Sequence, residues 1–329
     1  MSDFPFRSDR RRALSLLSAG GVMAGAGIRQ VIAASQAPAV VTAEAARPQI
    51  PYGVMSGDVN ADRAVIWSRC DRDARMLVDL ATTESMRDAR RIVGPAALED
   101  SDYTARIALR DLAPGQTHFY RVQFQSLADP RILSTPVSGR FRTPGNLQRD
   151  VVFAFSGDEA GQGWGINEAW GGYRVYAAMR QFEPDFFIHS GDQIYADGPI
   201  VAEVKLDDGS LWKNIITPAK SKVAETLAEF RGNFAYNLLD VNRRRFLAEV
   251  PMLVQWDDHE TRNNWFPDQQ IGVQDARYQM RSASQLSAHG KRAMFEYNPM
   301  AFEASDPERV YRAFRMGPLL DVFMLDERS

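Results

Sequence analysis

PDFFIHSGDQIYADG (Pro184–Gly198) opens as a short apolar run and closes on Gly-Asp, with a tyrosine three residues after that acid and a second aspartate two further on. The segment DFFI reads as a short, largely buried β-strand. A carboxylate at the end of such a strand must be hydrogen-bonded, paired or bound to metal, because an unpartnered one costs several kcal/mol or shifts its pKa. Asp192 therefore needs a partner elsewhere in the chain.

Upstream, VVFAFSGD (Val151–Asp158) has the same form, an apolar β run ending in Gly-Asp, followed by a Gly-rich loop and a helical periodicity over Tyr173–Phe182. Downstream, PMLVQW runs as a third short strand into DDHETRNNW (Asp257–Trp265). Alternating strand and helix signals indicate an α/β domain, and ligands of such sheets sit in the crevice at the C-terminal ends of the strands. Three strand ends thus deliver Asp158, then Asp192 with Tyr195, then Asp257, Asp258, His259 and Glu260. Acids that would repel one another in a shared crevice need cations between them. Carboxylate, phenolate and amide oxygens suit hard ions such as Fe³⁺, Ca²⁺, Mg²⁺ or Mn²⁺, while one cysteine and four histidines argue against a soft zinc site. In a two-metal site with ions about 3.5–4 Å apart, Asp192 on the middle strand is the natural bridge.

Other elements follow from local signals. EVKLDDGSLWKN carries an Asp-Gly hairpin turn, helices are expected over about Ser221–Glu249 and Asp275–Tyr297, and YRAFRMGPLLDVFML reads as a hairpin turning at Gly317-Pro318. Between Tyr52 and about Pro144 the texture is all-β. RAVIWSRC, RMLVDLAT, YTARIALRDL, THFYRVQFQ and SGRFRTPG are short strands separated by turns, which suggests a small β-sandwich. The phrase LAPGQTHFYRVQF (Leu112–Phe124) resembles the corner of fibronectin type III-like domains, where a Pro-Gly turn feeds a strand with an inward tyrosine.

The 329 residues, 45% apolar and 25% charged, are ordinary for a soluble globular protein of two domains. A formal charge of −3 and the lack of a basic stripe interleaved with aromatics give no reason to expect a nucleic-acid surface. Cys70 alone can form neither an internal disulfide nor a thiolate zinc site. Residues 1–37 read as an export signal: RSDRRR (Arg7–Arg12) precedes the weakly hydrophobic ALSLLSAGGVMAGAG, and AASQA suits cleavage. This pattern fits the twin-arginine type, with the export machinery as partner and a periplasmic or extracellular destination. The apolar run falls short of the roughly 20 residues that span a bilayer, so no stable membrane span is expected after cleavage. Removal takes away five arginines and two aspartates and moves the balance from −3 to −6. A linker follows at 38–51, then the sandwich at 52–145 and the α/β domain at 150–329.

SGDEAGQGWGIN, PDFFIHSGDQIYADGPI, FRGNFAYNLLD and VPMLVQWDDHETRNNW, in that order, resemble successive signatures of the alkaline phosphatase D (PhoD-like) family of exported metallophosphatases. The resemblance runs from Pro51 onward. It implies a calcineurin-like metallophosphoesterase domain behind the sandwich, a centre of Fe³⁺ and Ca²⁺, and hydrolysis of phosphate mono- or diesters by metal-activated hydroxide. By motif, Asp158 takes the first-metal position, Asp192 the bridge, Tyr195 supplies a phenolate to the ferric ion, Asp258 is a ligand of the second metal, and Asn233 is a candidate for the calcium. His259 matches the catalytic histidine that faces the phosphate and assists the leaving oxygen. His189 reads as a buried hydrogen bonder, and Glu260, Asp257 and Asp197 stay open between orienting a neighbour and touching metal. The family closes its site with histidine-bearing motifs nearer the C-terminus, and no histidine follows His289. The expectation is therefore a C-terminally truncated, partial domain. Its alternative function is that of a catalytically incomplete fragment acting through the sandwich as a binding module.

Overall fold

The computed structural model describes residues 44–146 and 148–328; the leader read in residues 1–37 lies outside them, as does the start of the linker. The N-terminal half contains β1 (Val54–Gly57), β2 (Ala64–Arg69), β3 (Ala74–Ala81), β4 (Arg90–Ala97), β5 (Thr104–Leu109), β6 (Thr117–Ser126) and β7 (Val137–Arg142). One antiparallel sheet has the order β4-β3-β6-β7, and β5-β2-β1 face it. Alternation on β6 buries His118, Tyr120, Val122 and Phe124 against Ile66, Met76, Val78 and Ile107 between the layers. Tyr120 is the inward tyrosine of the corner, fully buried, with its hydroxyl 3.4 Å from the Ala248 carbonyl.

Two strands escaped the sequence reading. β4 (RRIVGPAA) is largely exposed and contains Gly94 and Pro95, residues that weaken a strand signal. A Cβ at Gly94 would come within 2.5 Å of Ile107, so the glycine admits the close approach of this edge strand. β1 (VMSG) is buried at every position and so lacks the alternation of a half-exposed strand.

The second half adds β8 (Phe153–Ser156), α1 (Arg174–Arg180), β9 (Phe186–His189), the hairpin β10 (Glu203–Lys205) and β11 (Leu211–Lys213), α2 (Leu227–Asn237), α3 (Val241–Glu249), β12 (Met252–Val254), α4 (Ala283–Tyr297) and the hairpin β13 (Arg312–Arg315) and β14 (Asp321–Met324). β8, β9 and β12 run parallel, and β12 also pairs in parallel with β1 through Gly57 and Met252. A single six-stranded sheet, β5-β2-β1-β12-β9-β8, therefore crosses the boundary that the sequence suggests near residue 145. The core is shared as well: Met55 and Trp67 pack in one cluster with Phe187, Phe230, Phe246 and Met294, and the Trp67 indole donates to the Glu296 carbonyl at 2.6 Å.

The expected helix over 221–249 is two helices. Asp240 caps α3 by accepting from the Arg243 N–H, which ends α2 beforehand, and α2 itself starts at a capping box formed by Thr226 and Glu229. The expected helix over 275–297 begins only at Ala283, capped by Ser282. Residues before it form turns, in which the Asp275 carboxylate binds the Arg277 guanidinium and backbone N–H. Both hairpins form as expected, and Phe155, Leu319 and Phe323 remain largely exposed on β8, the β13–β14 turn and β14.

Candidate metal centre

Gly-Asp at a strand end has a backbone reason. Asp158 and Asp192 both adopt left-handed φ, 58° and 52°, which turns the chain sharply at the C-terminal ends of β8 and β9. Such conformations in non-glycine residues cost roughly 1–3 kcal/mol and persist where the surroundings hold them. Here the two turns hold each other, since the Asp158 N–H donates to the Gly191 carbonyl and the Glu159 N–H to the Asp192 carbonyl at 2.9 Å. Gly191 has φ 106°, and a Cβ there would lie 2.6 Å from Asp257 Cβ, so only glycine lets the β9 turn approach the loop after β12.

That approach brings Asp192, Asp258 and His259 together, with one potential ligand atom from each within 4.8 Å of the others. The His259 N–H donates to Asp192 Oδ1 at 3.1 Å, and the His259 carbonyl accepts from the Ala196 N–H. Tyr195 stacks on the His259 ring at 4.2 Å between centroids, and its hydroxyl donates to Asp158 Oδ1 at 2.5 Å. A Cβ on Gly161 would sit 2.5 Å from the Tyr195 ring, so the Gly-rich loop after β8 lies directly against that ring. Asp158, Asp192, Tyr195, Asp258 and His259 thus form one contiguous group.

Asn233 does not join it through any contact found among the described residues. It is buried in α2, where its amide nitrogen donates to the Ala219 and Glu229 carbonyls, and both bonds serve the packing of that helix.

Of the residues left open by sequence, Asp197 and Glu260 hold neighbouring groups by hydrogen bonds, and Asp257 pairs with Arg328. Asp197 accepts from His259 Nδ1 at 2.6 Å and from the Asn263 N–H, which leaves Nε2 as the available imidazole nitrogen. Burial opposes charge on His259, but Asp197 outweighs it and raises the imidazole above its ordinary pKa. Glu260 is fully buried and accepts three backbone N–H groups, from Asp192, Gln193 and Asp257, so it locks the loops after β9 and β12 in register. Burial and the Asp192 charge push it up to about 8, against the pull of those donors. Asp257 is half-exposed and paired with Arg328. Burial also pushes Asp192 up to about 7, with the charges of Asp257 and Asp258 adding to it. Tyr195 is raised by burial and by its bond to Asp158. A crowd of oxygens that resists ionisation in this way is what a cation would relieve.

Behind the group lies a network with no signature in the sequence. Glu159, next to Asp158, makes a buried ion pair with Arg243 of α3 at 2.6 Å. His189, at the end of β9, is fully buried with Nε2 3.6 Å from the same carboxylate, beyond hydrogen-bond distance. Burial raises the Glu159 pKa, yet Arg243 and His189 hold it below the ordinary carboxylate value. Lys220, also buried, donates to the Tyr195 carbonyl, and burial lowers it to about 8.

Two family models match, PhoD-like phosphatase over residues 153–329 and PhoD-like phosphatase, N-terminal domain, over residues 34–145. Alkaline phosphatase D of Bacillus subtilis (strain 168) is 25% identical over 343 residues, covering 98% of this chain and 54% of that protein. The solved structure of PhoD superposes with a TM-score of 0.67 at 24% identity, over 85% of this chain and 52% of the other. The chain spans about half the length of the relatives it matches. With both models and the fold in agreement, the chain belongs to the PhoD-like phosphatase family.

Proposed function

We propose that this chain carries a dinuclear metallophosphoesterase site of the calcineurin-like kind, holding Fe³⁺ and Ca²⁺ and acting on phosphate mono- or diesters. The observation that supports it most is the meeting of Asp192, Asp258 and His259 at the C-terminal ends of parallel strands, with Tyr195 and Asp158 in contact beside them. The donor set fits hard cations: carboxylate and phenol oxygens with one imidazole and no thiolate. Asp158, Tyr195 and Asp192 would hold the iron, and Asp192 with Asp258 the calcium. Bound there, the cations supply Lewis-acid polarisation and lower the pKa of water.

The chain's own residues do the rest. Asp197 holds His259 Nδ1 and stabilises its protonated form, so that Nε2 can present a proton to the leaving oxygen of the ester. Glu260 fixes the spacing of Asp192 and Asp257 through their backbone N–H groups. Tyr195 stacks on His259 with its own ring held against the Gly-rich loop, which fixes the position of both rings. Because the Tyr195 hydroxyl donates its proton to Asp158, iron uptake must displace that proton and should weaken as pH falls.

The test is to load the protein with Fe³⁺ and Ca²⁺, measure bound metal, and follow the hydrolysis of p-nitrophenyl phosphate and bis-p-nitrophenyl phosphate. About one iron per chain is expected, with a visible phenolate-to-iron absorption that Tyr195→Phe abolishes. An absorption unchanged in Tyr195→Phe would overturn the ligand assignment.

Export by the twin-arginine route is also proposed, on the strength of RSDRRR and the weakly hydrophobic run behind it, which lie outside the described residues. Among the described residues no helix is long and apolar enough to cross a membrane. Arg10→Lys with Arg11→Lys is expected to abolish export, scored by cell fractionation; unaltered secretion would count against this route.

A further inference from the structure

A cleft of about 230 Å³ opens where β2 and β5 of the sandwich meet the segment 301–314, and none of its lining residues belongs to the acid group at the strand ends. Four arginines line it, Arg63, Arg110, Arg309 and Arg312, against two acids, Asp58 and Glu303.

These charges are not equivalent. Arg312 and Asp58 form the floor, a buried ion pair with side chains 7% and 2% exposed. Both partners are fully engaged. The Arg312 guanidinium also donates to the Val254 and Val310 carbonyls, and Asp58 accepts the Ala301 N–H. The floor is therefore neutral and rigid, and the charge that remains belongs to the walls. Arg110 makes no ion pair or side-chain hydrogen bond among the described residues. Arg309 has only the face of Tyr311, 5.6 Å away. Arg63 faces the neighbouring Asp62, an exposed pair of little worth. Glu303 accepts from the Ser305 hydroxyl. Counting Asp62 beside Arg63, three guanidinium groups face two carboxylates, an excess of positive charge within a protein whose net charge is −3.

We infer that this cleft binds a phosphate dianion, either free or as the head of a phosphomonoester. Guanidinium forks match the geometry of phosphate oxygens, and Arg110 and Arg309, unpaired among the described residues, supply positive charge for an anion. Phe302, largely exposed at the rim, adds an apolar contact that would receive the organic part of an ester. The site differs in kind from the metal centre, since it recognises the anion by arginine alone and needs no cation.

The test uses calorimetric titration of the full chain at constant ionic strength, in an Asp192→Asn background so that the metal centre does not compete. The probes are inorganic phosphate and phenyl phosphate. One equivalent is expected to bind, and Arg110→Ala with Arg309→Ala should weaken it at least tenfold. Glu303→Gln should tighten it about twofold to fivefold, a gain that damage to the fold would not produce. Tighter binding of phenyl phosphate than of phosphate would assign the site to phosphomonoesters, and equal binding would assign it to the free ion. Binding that is absent, or unchanged in the double-arginine variant, would overturn the proposal. Failure here leaves the metal reading intact, because no arginine of the cleft touches that centre.

Discussion

Arg243→Met is expected to lower the free energy of unfolding by about 3–5 kcal/mol, the range seen when one partner of a buried ion pair is removed. Arg243 and Glu159 are both almost wholly inaccessible, and their contact is 2.6 Å long. Without the guanidinium, the carboxylate keeps His189, at 3.6 Å, and the Tyr176 hydroxyl, and must either stay charged in a largely apolar setting or take up a proton. Tyr176 offers the carboxylate a hydroxyl but no positive charge, and Phe187 closes the neighbouring core. Glu159→Gln combined with Arg243→Met should recover a large part of the loss, because the uncompensated charge is then gone. Urea denaturation of the two single variants and the double variant measures this as a coupling energy. A loss below about 1 kcal/mol in Arg243→Met would show that the pair is solvated like a surface bridge. The effect should also reach the metal centre, because Glu159 is bonded through its N–H to the Asp192 carbonyl and follows Asp158 directly.

Asp192→Asn is expected to produce opposite results in the two states of the protein. Metal binding should fall by orders of magnitude, because the proposed bridging carboxylate is lost and only a neutral amide oxygen remains. Stability of the metal-free protein should instead rise at neutral pH. Asp192 is pushed up to about 7 from an ordinary 3.8 by burial and by Asp257 and Asp258, so its charged form is disfavoured in the fold. An acid with a raised folded pKa binds more protons folded than unfolded between those two values, so stability falls as pH rises through that window. The penalty is absent below about 4 and complete above about 7. Asparagine carries no such penalty. The melting temperature of metal-free Asp192→Asn, compared with that of the parent chain from pH 4 to 8, should therefore diverge upward with pH. Coincident curves would mean that Asp192 ionises freely and that the strand ends do not crowd it.

Much of this centre was legible because its parts are local. An apolar run of four or five residues, a glycine and then an acid describe a strand that stops and turns, and the left-handed φ of Asp158 and Asp192 is the geometry those turns adopt. The expectation of hard cations rests on the same local reading, since oxygen donors without thiolates suit them wherever they lie. Helix limits were less readable. The break between α2 and α3 depends on the Asp240 cap, and that carboxylate also accepts the Tyr173 N–H from a loop 67 residues earlier. β1 carried no alternation to detect, because both of its faces are covered.

Taken alone, the order of residues determined which strand ends carry acids, that a phenol stands three positions after one of them, and that a sandwich precedes the α/β segment. Tertiary structure decided which of these groups meet. Gly191 lets the β9 turn close on Asp257, while the register of β8, β9 and β12 sets the three strand ends level. The same packing retained Asn233 in a helix, gave Asp197 to His259 and Glu260 to three backbone donors, and joined β1 to β12 across the domain boundary. The reason is separation along the chain. A strand and its turn are specified by neighbours, whereas Glu159 and Arg243 lie 84 residues apart and Asp197 and His259 lie 62 apart. Pairings at that distance depend on the closure and burial of the whole core, which no local pattern encodes.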